Sequence, residues 1–502
     1  MTGKQFGAEW TKQSVLKSAL LFLLQFVIFL GIAFVVLFGG RFSQVMQIMK
    51  EQGANYLYAV VCILMLFVIA YCYFYFENRE ILLSGKNIAL IFTVVDLHLI
   101  LSCLIGYKFN IYARPVALVA LLVFVLIGRR DAIFMNILCA LVVFIIDTFA
   151  VPEVTAKECY SSLIISFSAG MFAIFSSNRS KSRLSVITIG ILIVIPIDLI
   201  IFLLEISKLL DASEVVAGQS AWQFILTQMG YGLFGGVTSA IFFLFILPVF
   251  EFMFNCLTAF RLRELTSSDA KILKMLKEKA PGTYNHSMMV AQLAESSAAA
   301  IGENVDYARA AALYHDAGKL HNPEYFTENQ GDYNLHDELT PELSADIIRS
   351  HTKEGYRLIR NHRLPQFLAD IAVEHHGTLP IRYFYAKALK MTDGELNIED
   401  FSYMGPKPQS KLAAIIMICD ASEAAVRAVG ARTPEQTEQA IRAVIEERMD
   451  LEQFAECDIT MADLTKIRLA LVNTLTGVYH HRIQYPSIKY RRTENGTKGE
   501  NE

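Results

Sequence analysis

A histidine and an aspartate stand side by side in Tyr314-His315-Asp316-Ala317-Gly318-Lys319. The run from Ala310 to Leu320 otherwise reads as buried helix, where an imidazole and a carboxylate are costly unless something satisfies them. A single pair can be satisfied by a hydrogen bond between its members. A larger set of such residues points to a metal ion, and this chain carries the larger set. His286 lies upstream, His351 downstream, then come the adjacent His375-His376 and finally Asp420. Seven nitrogen and oxygen ligands exceed what one ion needs and suit two. Asp316, with two oxygens, is the residue best suited to bridge them.

The elements that must bring these residues together are read next. From 281 to about 485, apolar residues recur at three- and four-residue spacing with almost no alternating stretch, which predicts an all-helical domain. Gly318, Gly377, Gly394, Pro406 and Pro434 punctuate it. The polar tail, 486–502, is expected to be disordered. Between 253 and 280, Leu262, Leu265, Ile272, Leu273, Met275 and Leu276 alternate with charges at helical intervals. That predicts a helical connector, with Ser267-Ser268-Asp269 as the cap of a new helix. The connector would serve either to pass on a motion or as a rigid spacer.

The first half has another character. A mean hydropathy of +0.38 with 54% hydrophobic residues is too apolar for a soluble protein of 502 residues, and the excess lies before the connector. Against the roughly 20 residues needed to cross a bilayer, eight spans are expected. They are 15–39, 56–76, 87–105, 116–128, 132–149, 161–176, 184–204 and one within 224–252. The fourth is short. The first is too long for a signal core and lacks a small-residue cleavage site, so it reads as an anchor with its short outer loop over 1–54, followed by a seven-helix module over 55–252. Basic residues crowd one set of ends: Lys4, Lys12 and Lys17, Arg79 and Lys86, Arg129-Arg130, Arg179, Lys181 and Arg183, and Arg261 and Arg263. Arg41, Lys50, Lys108, Arg114, Lys157 and Lys208 are spread more thinly over the other loops. The positive-inside rule then places both termini and the second half in the cytoplasm. Asp96, His98, Asp147 and Asp198 fall in or near spans and are expected to face one another or the bundle interior rather than form a transport path.

Composition removes some functions. A net charge of -4 gives no footprint for a nucleic-acid polymer. The eight cysteines are scattered with no Cys-x-x-Cys pair, so neither a disulfide framework nor a zinc ribbon is expected.

The chemical residues carry a resemblance. His286, His315-Asp316, His351, His375-His376 and Asp420 are similar to the signature of HD-domain metal-dependent phosphohydrolases. Ala280-Pro281-Gly282-Thr283-Tyr284-Asn285-His286-Ser287, Tyr325-Phe326-Thr327-Glu328-Asn329-Gln330, Glu374-His375-His376-Gly377-Thr378, Tyr383-Phe384-Tyr385 and the run from Cys419 to Arg427 resemble one subgroup more closely. That subgroup is the PgpH-type, or seven-transmembrane HD, family of bacterial membranes. The resemblance implies a multi-pass protein of the bacterial cell membrane with an all-α fold, a polytopic bundle followed by a cytoplasmic HD domain. It also implies hydrolysis of cyclic di-AMP to linear pApA by a hydroxide activated between two metal ions, divalent or trivalent, with iron or manganese favoured. The seven ligands would divide between the ions. Two ions about 3.5 to 4 Å apart can lower the pKa of a shared hydroxide and clamp a phosphoryl oxygen for in-line attack.

Lys319 completes the His-Asp-x-Gly-Lys motif and, one turn after His315, would offer a cation to the phosphate, so His315, Asp316 and Lys319 are the expected catalytic group. Tyr284, Tyr325, Tyr383 and Tyr385 are candidates to stack on adenine, with core packing as their ordinary role. His321, His336, His362, His480 and His481 fit no ligand position. The family normally has a large outer domain between its anchor and its seven helices, and here only Gly40 to Asn55 fills that place. Hydrolysis stays as an expectation, and sensing of an external ligand loses its support. Expected partners are cyclic di-AMP and the lipid bilayer, with self-association left open.

Two rivals remain. An HD enzyme of another nucleotide is one, although His375-His376 is followed by Gly377-Thr378-Leu379-Pro380 and not by the Glu and Gly-Tyr-Pro element expected for cyclic di-GMP. A membrane receptor or transporter whose HD domain binds nucleotide without cutting it is the other. A degenerate sensor would have lost ligands, and this chain keeps all seven.

Overall fold

The computed structural model describes residues 11–39, 42–177, 183–206, 220–331, 333–392, 395–430 and 433–479. The expected disordered tail, His480 and His481, Gly394, and the basic residues Lys4, Arg41, Arg179, Lys181 and Lys208 lie outside them. The chain forms two compact units, residues 1–261 and 262–502. Both are helical, and among the described residues the only β pairing outside named strands is an isolated bridge between Pro380 and Ser402.

Unit one holds α1 (Lys12–Phe38), α2 (Val45–Glu77), α3 (Arg79–Leu83), α4 (Gly85–Lys108), α5 (Leu118–Leu126), α6 (Arg129–Ala150), α7 (Ala156–Ser177), α8 (Ser185–Glu205) and α9 (Ala221–Met253). Seven of these are long and apolar enough to cross a membrane, and the chain is a membrane protein. The expected eighth span, the fourth in order, is α5. At nine residues it rises only about 14 Å, under half the hydrocarbon thickness.

α5 survives because it is surrounded by protein. Leu118 to Val123 are essentially inaccessible, as an all-apolar helix requires. The non-helical stretch before it carries Arg114, whose guanidinium is buried and donates to both carboxylate oxygens of Asp147 at 2.6 and 2.9 Å, to Ser162 at 3.0 Å and to the Ser102 carbonyl at 3.1 Å. Tyr107 donates to the same carboxylate at 2.7 Å. Glycine makes the approach possible, because a Cβ at Gly106 would sit 2.2 Å from Arg114 Nε. Backbone that leaves helical geometry inside a bundle is tolerated only where protein satisfies it. Of the four ionisable residues expected to face one another or the bundle interior, His98 and Asp147 are buried in the interior, and Asp147 pairs with Arg114 rather than with any of the other three. Asp96 and Asp198 each keep a buried oxygen with no hydrogen-bond partner.

Unit two begins within α10 (Ala259–Leu265) and continues with α11 (Lys271–Lys279), α12 (Pro281–Ile301), α13 (Val305–Tyr314), α14 (Pro341–Asn361), α15 (Gln366–Glu374), α16 (Arg382–Leu389), α17 (Lys411–Val429), α18 (Pro434–Asp450) and α19 (Met461–Tyr479). The cap of α11 is Ala270, not the Ser267-Ser268-Asp269 run; the Ser267 hydroxyl instead accepts from Asp269 N–H in the turn before it. Ala-rich faces let α12, α13 and α17 come close: Ala291, Ala294, Ala298, Ala310, Ala311, Ala312, Ala413 and Ala414 are all buried.

Candidate metal centre

The seven sequence-predicted ligands come from separate elements. α12 presents His286, α14 His351 and α17 Asp420, while His375-His376 follow the end of α15. The His-Asp motif is not within a helix running to Leu320, as its apolar pattern predicts. α13 stops at Tyr314, His315 is its cap, and Ala317–Leu320 form a single 3-10 turn. The reason is a close approach. A Cβ on Gly318 would lie 1.8 Å from the backbone oxygen of His351, so glycine lets the turn press onto α14 and brings His351 to Asp316. Gly282 does the same for α12 against the Glu328 carbonyl, where a Cβ would also lie 1.8 Å away.

The side chains converge in two groups, His286, His315 and Asp420, and Asp316, His351, His375 and His376, each with ligand atoms within 4.8 Å of one another. Asp316 joins them. Its Oδ2 lies 3.3 Å from His315 Nε2 and 3.9 Å from His286 Nε2, and its Oδ1 lies 3.4 Å from His351 Nε2 and 3.6 Å from His375 Nε2. Asp420 Oδ1 is 2.9 Å from His286 Nε2, and its Oδ2 is 3.9 Å from His376 Nδ1.

Outer contacts fix the rings. The Nδ1 atoms of His315, His351 and His375 donate to the carbonyls of Ala312, Ile348 and Ala372, at 2.6, 2.5 and 3.0 Å. A carbonyl only accepts, so each Nδ1 carries a proton and each ring turns its Nε2 inward, where loss of any second proton leaves a lone pair for an ion. His315 Nε2 and Asp316 Oδ1 are buried with no hydrogen-bond partner. Orphaned polar atoms of this kind, amid imidazole and carboxylate side chains, fit a pair of cations that would take the place of the inner protons.

Burial opposes charge throughout, and neighbours decide the outcome. Against burial, Asp420 and Glu423 hold His286 up at about 9, and Asp316 and Asp420 hold His315 up at about 10. Burial wins at His351, pushed down to about 3, and at His376, well below its ordinary value with His375 adding repulsion. Asp316 stays far below the usual carboxylate range because Lys319 and then His315 outweigh its burial.

Lys319 is not a free cation on the His315 face. It lies in the 3-10 turn, 2.7 Å from Asp316 Oδ2 and 2.8 Å from Glu328 Oε1, over the Phe326 ring. Among the tyrosines, Tyr385 bonds the Leu396 carbonyl and packs on Phe401, and Tyr325 packs on His336. Tyr383 is exposed and Tyr284 half-buried. Of the set-aside histidines, His336 is a packing residue that meets the Tyr325 carbonyl. Sequence reasoning missed Tyr403, stacked on His376 with centroids 4.3 Å apart, and Arg382, Glu447 and Arg448. With His376 and Leu379 these line a cavity of about 260 Å³ beside the centre, and Arg448 Nε is buried there without a partner. No local signal marks them, since they come from three distant stretches of chain.

Comparison with known proteins agrees with this architecture. Residues 54–258 match the family described as a 7TM receptor with intracellular HD hydrolase, and residues 283–425 match the HD domain. The cyclic-di-AMP phosphodiesterase PgpH of Listeria monocytogenes is 44% identical over 62% of this chain and 42% of its own length. PgpH of Bacillus subtilis is 36% identical over 83% of this chain and 58% of its own. The chain thus spans about half the length of these curated relatives. The crystal structure of the L. monocytogenes PgpH HD domain in complex with cyclic-di-AMP is 50% identical, covering 43% of this chain and 99% of that one, with a TM-score of 0.41. With the membrane module and the HD domain matched in order along one polypeptide, the chain belongs to the seven-transmembrane HD family of PgpH type.

Proposed function

We propose that the chain is a metal-dependent phosphodiesterase that hydrolyses cyclic di-AMP to linear pApA, with its HD domain and both termini in the cytoplasm. The observation that carries this reading is Asp316, whose two oxygens face two separate clusters of ligand atoms while one of them has no hydrogen-bond partner. The choice of substrate is supported by the relatives named as phosphodiesterases of this dinucleotide.

His286, His315 and Asp420 would hold one cation, His351, His375 and His376 the other, and Asp316 both. Iron or manganese suits this imidazole and carboxylate set. When bound, the pair would supply Lewis-acid polarisation of a phosphoryl oxygen and an activated water. The rest falls to the protein. Lys319 keeps Asp316 ionised, as a residue that would serve both ions must be, and Glu328 holds Lys319 in place. Arg382 and Arg448, which both pair with Glu447 at the cavity, would turn their remaining N–H groups to a phosphate, and Tyr403 offers a base a flat wall next to His376. Tyr383 and Tyr284 are left to flank the substrate, Tyr385 and Tyr325 being engaged in packing.

The test is to incubate the anaerobically purified full chain with manganese or iron and cyclic di-AMP and to resolve the products by chromatography. Linear pApA is expected, with none from the His315→Ala/Asp316→Ala variant. Tight binding of the dinucleotide with no pApA from the loaded wild type would overturn the hydrolase reading in favour of a sensor.

A further inference from the structure

The inner histidines are not held alike. His315, His351 and His375 each give their Nδ1 proton to a neutral carbonyl one turn back on their own segment. His286 instead sets Nδ1 2.8 Å from Glu423 Oε2, and the carboxylate comes from another helix. Glu423 is 3% exposed and follows Asp420 by one turn of α17. One rigid helix therefore grips both nitrogens of the His286 ring, with Asp420 on Nε2 and Glu423 on Nδ1. Arg427, a further turn along, reaches the other Glu423 oxygen at 3.6 Å and stands largely in solvent.

A carboxylate behind an imidazole does two things that a carbonyl does not. It adds a full negative charge close to the ion, and it draws the Nδ1 proton away so that Nε2 becomes a stronger donor. No corresponding carboxylate backs His351 or His375, among the described residues, and the extra charge near Asp316 is balanced by Lys319.

We propose that Glu423 is a positioning residue for His286, acting on the ion held with His315 and Asp420 and not on the ion of the His351 group. This rests on the two-ion reading above. The alternative is a plain clip between α12 and α17, which would act on the fold and on neither ion in particular.

The experiment is metal retention against increasing chelator, read by elemental analysis at pH 8, with melting of the metal-free protein measured alongside. Glu423→Gln keeps the size and an acceptor oxygen but loses the charge. It should release one of two equivalents at about 10- to 100-fold lower chelator, leave the other unchanged, and melt like wild type when metal-free. Glu423→Asp, which keeps the charge, should recover part of the loss. Location is settled by pairing. In His351→Ala the added Glu423→Gln should strip the remaining ion, and in His286→Ala it should change nothing further. Equal loosening of both equivalents, or none, overturns the proposal, as does a fall in metal-free melting that accounts for the loss. A wild type that binds no ion defeats the two-ion reading itself, which is a distinct result.

Discussion

The two units each bury opposite charges away from water, and they treat them in opposite ways. In the membrane unit, Arg114 and Asp147 are almost wholly inaccessible, and the guanidinium finds Asp147, Ser162 and the Ser102 carbonyl while Tyr107 completes the carboxylate. In the HD unit, Asp316 and His315 are equally buried, yet an oxygen of one and a nitrogen of the other have no hydrogen-bond partner. A satisfied buried pair is complete as structure. A buried cluster that keeps orphaned atoms at its centre calls for something that binds there.

That contrast can be broken at either end. The largest effect is expected at the HD centre: His315→Ala/Asp316→Ala should lower cyclic di-AMP hydrolysis by at least about 10⁴-fold, about 5.5 kcal/mol of barrier, with loss of bound metal by elemental analysis. Survival of hydrolysis would mean that the convergence is not the catalytic centre.

In the membrane unit, Arg114→Met strands the Asp147 carboxylate and should destabilise that unit by about 3–5 kcal/mol in a detergent melt. Replacing both partners, as Arg114→Met/Asp147→Leu, should restore most of the loss, and turnover per folded molecule should stay within about twofold of wild type. A large fall in turnover by the folded double variant would show that the pair does more than hold α5.

Ion binding sharpens the comparison from the other side. At one hundred times the dissociation constant, a cation should stabilise the HD unit by about 2.7 kcal/mol, seen as slowed amide exchange in peptides of α12, α14 and α17, with none in α4 to α6. Equal protection of both units would erase the distinction.

The smallest effect is in protons. His286 and His315, held up at about 9 and about 10, carry protons at pH 7 in the metal-free protein, whereas His351 is already neutral. Loading should therefore release on the order of one to two protons per chain, measured by calorimetry in buffers of different ionisation enthalpy. The sign for stability is the reverse. Raised histidines stabilise the metal-free fold fully below their unfolded value of about 6.5 and lose that contribution as pH rises through 9 to 10. Ion affinity should climb over the same window. Proton uptake, or no proton change, would contradict the charge pattern of the centre.

Much of this was legible without coordinates. Apolar runs near 20 residues long marked the membrane helices, because the bilayer imposes a length that the sequence must meet locally. The seven candidate ligands, which the fold brings together, were legible because imidazole and carboxylate in apolar helices are rare without a partner. Legibility failed where the deciding contact is distant in sequence. The burial of Arg114 in the non-helical stretch before α5 is matched by Asp147, which comes from another helix. The end of α13 at Tyr314 depends on the Gly318 turn lying against His351, and the pinning of Lys319 depends on Glu328.

Residue types and their periodicity thus settled that this chain has helices of two kinds, membrane-length and amphipathic, and which side chains have chemistry to offer. The gathering of the candidate ligands into two clusters, the turning of Asp316 to both, and the placing of Tyr403, Arg448 and Glu423 beside them were decided only when helices far apart in the chain packed together. Side-chain chemistry is written residue by residue, whereas distances of 3 to 4 Å between such residues exist only after glycine and alanine faces let the backbones close.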